Sequence, residues 1–145
     1  MELQKERVKI MYCLNIPKEE NSPYEKAMDA ERLLRSLGAT GRYTGFDYLI
    51  FIVDTLLTTQ DSHYFVTKCI YPDTAKRFGV NTGSVEHAIR TVVQTCWKRA
   101  DHSALDYVAG VHLEKIPTNS QFIDLLVAFL RYKNKAERGE WNDKL

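Results

Sequence analysis

The chain has 145 residues, which fits one domain with a core of its own. Its composition, 44% hydrophobic and 27% charged, is typical of a globular protein. The 20 Lys and Arg residues nearly balance the 19 Asp and Glu residues, so the overall charge gives no sign of nucleic-acid binding. No run of about 18 apolar residues is present, and no transmembrane helix is expected.

Cysteine usage and the start of the chain favour the cytoplasm. Cys13, Cys69 and Cys96 are scattered, form no CxxC pair and are odd in number, so a disulfide framework is not expected. Each is predicted to be a small buried hydrophobe. Charges occur throughout residues 1–17, which lack the apolar core of a secretory signal. We therefore expect a cytoplasmic protein with no membrane partner.

The N-terminal segment permits two interpretations. Residues 8–16 alternate between apolar and polar side chains, as a strand does, while Leu3, Ile10 and Leu14 fit a helix less well. An extended segment is favoured, and the structure of this segment stays open. Residues 17–23, PKEENSP, are polar and bounded by prolines, which predicts a linker.

From Tyr24 onward the apolar residues recur with helical spacing. The first predicted helix stops at Gly38, a glycine typical of a helix C-terminus. Residues 45–59, GFDYLIFIVDTLLTT, are more apolar and predict a central buried helix. A short helix over 62–70 is expected to end before Pro72, because the residue preceding a proline disfavours the helical region.

The stretch YPDTAKRFGVNTGSVEHAIR, residues 71–90, predicts two helices joined by a tight turn. Pro72 suits the first turn of the first helix, which covers about 72–78 and ends at Gly79. Asn81 or Thr82 is expected to cap the second helix, which runs to about residue 99.

The remaining sequence predicts a short helix over 103–110, a loop and a final amphipathic helix over 117–133. Thr118, Asn119 or Ser120 is expected to cap that last helix. The predicted division of the chain is an N-terminal segment and linker, a helical domain and a charged tail, over 1–23, 24–133 and 134–145.

No enzyme signature is present. The four histidines show neither HExxH nor HxxxH spacing, so no helical pair of metal ligands is offered. No glycine-rich phosphate loop and no GxSxG motif occurs. The sequence predicts neither an enzyme nor a cofactor.

The second helix of the pair has two contrasting faces. Residues predicted to be buried recur at three- and four-residue intervals: Val85, Ala88, Ile89, Val92 and Cys96. Polar residues lie on the opposite side: Ser84, His87, Arg90, Thr91 and Gln94. In a helix-turn-helix the second helix presents such residues to base edges in the major groove. Two packed helices with a solvated face give the same pattern, so spacing alone leaves both interpretations open.

Local charge favours DNA docking modestly. Residues 61–100 carry six cations and three anions, whereas residues 1–40 carry seven of each. Ala75 allows a close helix crossing, and Gly79 suits the turn. The basic excess therefore coincides with the predicted helix pair.

Four blocks of sequence, in order, resemble the C-terminal DNA-binding domain of the stage-zero sporulation master regulator, a bacterial response regulator. The blocks are GFDYLIFIVDTLL, TKCIYPDTAKRFG, VEHAIRTVVQTCWKR and PTNSQFI, spread over roughly 26–132. The resemblance implies an all-α bundle of about six helices around a helix-turn-helix, of the winged-helix-like effector type found in response regulators. It also implies binding to short boxes of double-stranded DNA, often as tandem copies.

The resemblance implies a recognition helix over 83–99 and a set of DNA contacts. Arg90 would contact a base or phosphate, and Glu86 would accept from cytosine or orient Arg90. Ser84 and His87 would read base edges, although the family has arginines at both positions. The full set of candidate DNA-binding residues is Lys76, Arg77, Asn81, Thr82, Gly83, Ser84, Glu86, His87, Arg90, Thr91 and Lys98, in which Lys76, Arg77 and Lys98 are phosphate contacts.

Two functions are consistent with a chain that resembles the family but has Ser84 and His87 where the family has arginines. The first is a sequence-specific transcription regulator that binds DNA, as a homodimer on tandem sites, without a receiver domain, since only about 25 residues precede the matching region. The alternative is a protein-interaction module of the same fold that has lost DNA reading. Such a module would form a heterodimer with a response regulator and modulate it.

Overall fold

A computed structural model describes residues 25–59, 66–99 and 103–137. The predictions for residues 1–23 and for Cys13 lie outside the described residues. The helices are α1 (Glu25–Ser36), α2 (Thr44–Thr58), α3 (Tyr71–Phe78), α4 (Thr82–Trp97), α5 (Ser103–Ala109) and α6 (Asn119–Glu137), with a π-helical turn over Val66–Ile70. The described ranges contain no strand. The prediction of an all-α bundle of about six helices is confirmed.

Helix α2 is the centre of the bundle, as its apolar sequence predicts. It packs against α1, α3, α4 and α6. Its buried residues are Gly45, Phe46, Tyr48, Leu49, Ile52 and Val53. These side chains join the apolar faces of the surrounding helices in one core, and that core fixes where α4 lies.

The crossing of α2 and α4 depends on a glycine. A Cβ atom added at Gly45 would lie 2.3 Å from the carbonyl oxygen of Ala88 on α4. The two backbones therefore approach more closely than any side chain at this position allows. Ala88 itself is small, which also serves the close approach.

The π-helical turn ends at Ile70 and α3 begins at Tyr71, so the short helix ends before Pro72 as predicted. The expected departure from the helical region at this boundary is absent. Ile70 has φ −72° and ψ −37°, and the π-helical turn continues directly into α3. Pro72 lies within the first turn of α3, where its missing N–H has no intrahelical partner to lose. Burial of Ile70 and Tyr71 in the core outweighs the local preference of a residue that precedes proline.

The turn between α3 and α4 follows the predicted chemistry. Gly79 ends α3 with φ +68°, a left-handed conformation that favours glycine. Val80 N–H donates to the carbonyl of Ala75, which is itself buried against the bundle. Asn81 is the cap of α4, and its side-chain oxygen accepts from the Ser84 N–H at 2.8 Å. Helix α4 ends at Trp97, two residues before the predicted end.

Helix α6 begins with a capping box. The Thr118 hydroxyl accepts from the Gln121 N–H at 3.1 Å, and the Gln121 side chain accepts from the Thr118 N–H at 3.0 Å. Of the three candidates, Thr118 is therefore the cap. The helix continues to Glu137, beyond the predicted boundary at residue 133. No helix in the described part of the chain is long and apolar enough to span a membrane.

Candidate nucleic-acid interface

One stripe of α4 anchors it in the core. Val85, Ile89, Val92 and Cys96 are buried, and Val93 beside them is also buried. These positions have the three- and four-residue spacing that the sequence predicts. Because this stripe faces inward, the opposite side of α4 faces away from the bundle.

The outward stripe of α4 carries Ser84, His87, Thr91 and Gln94, spaced three or four residues apart. All are exposed except Thr91, which is half-buried. The Thr91 hydroxyl donates to the His87 carbonyl at 3.1 Å, so its oxygen remains available only as an acceptor. Ser84, His87 and Gln94 are thus the exposed residues of this stripe that can donate to a ligand.

The first turn of α4 presents exposed polar groups to solvent. Asn81, Thr82 and Gly83 are all exposed. The Asn81 oxygen is occupied by the cap, which leaves its amide nitrogen for other partners. The N–H groups of Thr82 and Gly83 have no carbonyl within the helix to bond, as in any first helical turn. This end of α4 is suited to acceptor groups such as phosphate oxygens.

A second stripe of α4, formed by Gly83, Glu86 and Arg90, borders the start of α6. Two hydrogen bonds tie α4 to this region, one to the loop before α6 and one to its first residue. Arg90 Nη1 donates to the Pro117 carbonyl at 3.2 Å, and Asn119 Nδ2 donates to the Glu86 carbonyl at 3.0 Å. Arg90 is therefore held in place as well as being a candidate DNA contact.

The α4–α6 groove lies between these two helices. We define it by its lining residues: Tyr71, Gly83, Glu86, His87, Arg90, Thr118, Asn119 and Ser120. It is open to solvent. Four of the candidate DNA-binding residues, Gly83, Glu86, His87 and Arg90, line it.

Tyr71 forms the buried wall of the α4–α6 groove. Its side chain is 3% exposed, and its hydroxyl has no hydrogen-bond partner. Burial raises the pKa of Tyr71; the nearby Asn119 and Ser120 side chains act in the opposite direction, and the Glu86 carboxylate raises the pKa further. The Asn119 side-chain oxygen is likewise buried without a partner.

The candidate phosphate contacts fall at two separate places. Lys76 and Arg77 are exposed in the last turn of α3, just before the turn into α4. Lys98 follows the last residue of α4, about 24 Å of helix from the first turn at 1.5 Å per residue. Neighbouring Arg99 donates to the Ser36 carbonyl at 2.8 Å, so this end of α4 adjoins the C-terminus of α1. The structure does not bring Lys98 together with the other candidates.

Sequence reasoning missed the residues that α6 and α3 contribute to the groove. Thr118, Asn119 and Ser120 were expected only as helix caps, and Tyr71 only as the residue before Pro72. The block PTNSQFI was a signal for them, because it was one of the four blocks that carried the family resemblance. The contacts of Pro117 and Asn119 with α4 join positions about 30 residues apart, which no local pattern reveals.

The loop that leads into α6 is itself anchored. Asp106 Oδ1 accepts from the Leu113 N–H at 2.9 Å, and its Oδ2 lies 2.7 Å from His112 Nδ1. The carboxylate thus ties α5 to the loop over 110–118. This anchor restrains the loop that leads to Pro117 and Thr118.

Comparison with known protein families identifies the domain. The family model described as Sporulation initiation factor Spo0A C terminal matches residues 30–130. The chain belongs to this family. The Spo0A C-terminal domain is a helical, DNA-binding regulatory domain of transcription and sporulation, and it is not an enzyme. The predicted resemblance is confirmed, whereas the individual DNA contacts and the division at residues 24 and 133 stay predictions.

Proposed function

We propose that this Spo0A-type domain is a cytoplasmic, sequence-specific transcription regulator that places α4 in the DNA major groove. The observation that carries the proposal is the outward polar stripe of α4, which backs directly onto a buried apolar stripe. A helix fixed in this way presents its N-terminal side chains in a defined orientation. A defined orientation is what reading base edges requires.

The exposed residues have different roles, since some contact bases and others contact phosphates. Ser84 and His87 read base edges, and Glu86 accepts a hydrogen bond from a cytosine amino group. Arg90 acts from a position fixed by the Pro117 carbonyl and retains donors for a base or phosphate. Asn81, Thr82, Gly83 and Thr91 border this face. Lys76 and Arg77 hold the phosphate backbone and set the register of α4 on the duplex.

Titration of a fluorescent DNA duplex tests the proposed face. His87→Ala is expected to weaken binding to a preferred site about tenfold, the low end of what one base contact contributes. Lys76→Ala is expected to weaken binding to all sequences and to reduce the salt slope by about 1.

Lys98→Ala is the matched control, because it removes the same charge at the far end of α4. It is expected to change affinity much less than Lys76→Ala. Equal losses for Lys76→Ala and Lys98→Ala would contradict the proposed face, since both would then act through overall charge alone.

The second candidate function is a protein-interaction module that modulates a full-length regulator of the same family. It is favoured by serine and histidine at positions 84 and 87, where the resemblance implies arginines, and by the hydrogen bond that occupies Arg90. This function predicts no DNA retention at about 50 mM salt, where phosphate contacts are strong. It also predicts a heterodimer with the response regulator, seen by co-purification and sedimentation. Retention of DNA without such a heterodimer would contradict it.

A further inference from the structure

The N-termini of two long helices meet at the α4–α6 groove. Helix α4 has 16 residues and α6 has 19, and Gly83 and Ser120 of their first turns both line the groove. In α6 the cap satisfies Gln121, which leaves the N–H groups of Asn119 and Ser120 without intrahelical carbonyls. The positive ends of both helix dipoles therefore act on the same space.

An independent observation points to a ligand in this space. The Tyr71 side chain lines the groove, and its buried hydroxyl has no hydrogen-bond partner. A buried polar group without a partner costs stability unless something supplies one. Asn119 and Ser120 lie close by, but neither meets hydrogen-bond geometry with this hydroxyl. As a donor, the hydroxyl would be satisfied by an incoming oxygen atom.

The charged side chains around the groove act in opposite directions. Arg90 lines it and has donors beyond the one bonded to Pro117, and His87 lines it from the exposed side. The Glu86 carboxylate also lines the groove and opposes an anion. When the Glu86 side chain accepts a hydrogen bond from a base in the major groove, its carboxylate points towards that base and opposes an anion in the α4–α6 groove less.

We propose that the α4–α6 groove is a phosphate-binding site that takes a backbone phosphate of the DNA whose bases α4 reads. The donors are the first-turn N–H groups of α4 and α6, the Ser120 and Tyr71 hydroxyls and Arg90. That the phosphate comes from DNA rests on the proposed function. That the groove binds phosphate does not depend on it. Tyr71 and Ser120 are thereby added to the DNA-binding residues.

Binding of inorganic phosphate to the groove is tested first, and the backbone amide resonances in NMR spectra are the readout. Addition of phosphate is expected to shift the resonances of Gly83, Asn119 and Ser120. Tyr71→Phe is expected to weaken this binding about tenfold, because it deletes a hydrogen bond to a charged group. Since the hydroxyl has no partner in the free protein, this variant is expected to fold normally.

Two carboxylate substitutions on α6 form a matched pair. Ser120→Asp places a negative charge in the groove, in a first helical turn where it favours the fold. Ala128→Asp places the same charge at an exposed position about 12 Å further along the helix. Only Ser120→Asp is expected to abolish the phosphate shifts. Unchanged amide resonances on addition of phosphate, or equal effects of the two variants, would overturn the site.

Duplex DNA at about 50 mM salt then distinguishes the sources of phosphate. Weaker DNA binding by Tyr71→Phe and Ser120→Asp, but not by Ala128→Asp, supports a backbone phosphate in the groove. Groove variants that bind DNA as the parent does, alongside a His87→Ala variant that does not, would overturn the inference and leave the proposed function standing. Phosphate binding in a protein that retains no DNA would overturn the backbone source and the proposed function together, and would assign the groove to a free phosphate.

Discussion

Among the described glycines, Gly45 is the one where an added Cβ would come closest to another atom. An alanine Cβ there would meet backbone atoms of Ala88, which cannot rotate away as a side chain can. Overpacking of this kind costs about 1–3 kcal/mol, more than the 0.5–1 kcal/mol that alanine gains over glycine within a helix. We therefore expect Gly45→Ala to lower the free energy of unfolding by about 1–2 kcal/mol, measured by urea denaturation.

Gly41→Ala is the control for this substitution. Gly41 lies in the exposed loop before α2, where the nearest atom to an added Cβ is 4.0 Å away on the Arg35 side chain. Its unfolding free energy is expected to stay within about 0.5 kcal/mol of the parent value. Equal unfolding free energies of the two variants would contradict this expectation, because they would mean that α2 and α4 can move apart without loss of stability.

Cys96 is the residue whose chemistry burial changes most. Burial raises the pKa of the Cys96 thiol to about 12, although Arg99 and a backbone hydrogen bond involving Ala39 act in the opposite direction. Since the thiolate is the reactive form, native Cys96 is expected to resist alkylation by iodoacetamide at pH 8 and to react in urea. Peptide mass mapping measures this. Half-buried Cys69 is the internal comparison, and labelling of Cys96 ahead of Cys69 would contradict the burial.

The same pKa shift makes stability depend on pH. The folded protein keeps the Cys96 proton to a higher pH than the unfolded chain, whose thiol has an ordinary pKa of 9.0. The contribution is therefore fully present below pH 9.0 and is lost as the pH rises from there to about 12. Cys96→Ser, whose hydroxyl does not ionise in this range, is expected to show less of this alkaline loss in urea denaturation at pH 8 and pH 10. An equal loss in both proteins would assign it to other groups.

At the scale of an element, α4 depends on its N-terminal cap. The Asn81 side chain satisfies the Ser84 N–H, and its removal is expected to cost about 1 kcal/mol of stability. Asn81→Ala is compared with Thr82→Ala, which changes an exposed neighbour that makes no cap bond. Urea denaturation is expected to show a lower midpoint for Asn81→Ala alone. A loss of the same size in Thr82→Ala would mean that the cap contributes little.

The sequence was most informative about individual helices and least about their contacts. Apolar spacing predicted the buried stripe of α4, and Gly79 and Asn81 predicted the turn before it, because these signals are local. The sequence also predicts the helix boundary before Pro72. It does not predict that Ile70 keeps helical dihedrals there, because burial of Ile70 and Tyr71 outweighs local preference.

The sequence predicts which residues of α4 face outward, but not which residues of other elements lie beside them. Ser84, Glu86 and His87 were identified on α4 and are exposed there. The groove could not be predicted, because Asn119 and Pro117 meet α4 across about 30 residues of chain. Such contacts follow from how the helices pack, which the spacing within one helix does not encode.

At the scale of the whole molecule, DNA affinity depends more on where the charges lie than on the net charge. A net charge of +1 offers little general attraction to DNA. Binding must then come from the cations beside α4, and affinity should fall steeply between about 50 and 200 mM salt. Binding that persists unchanged over this range would contradict a phosphate-based contribution.

Tandem binding is also a property of the whole molecule. If two copies occupy adjacent boxes as a homodimer, a duplex with two sites should bind two copies with higher affinity per site than a duplex with one. Sedimentation of the complexes measures the stoichiometry. Equal affinity per site on both duplexes would indicate that the copies bind independently.

Selection of bound sequences from a random DNA pool tests the central claim most directly. The proposed reading by α4 predicts recovery of one short motif, and His87→Ala should relax that motif at one or two positions while the fold is retained. Recovery of no motif at about 50 mM salt, from a protein that is folded by circular dichroism, would contradict sequence-specific DNA binding.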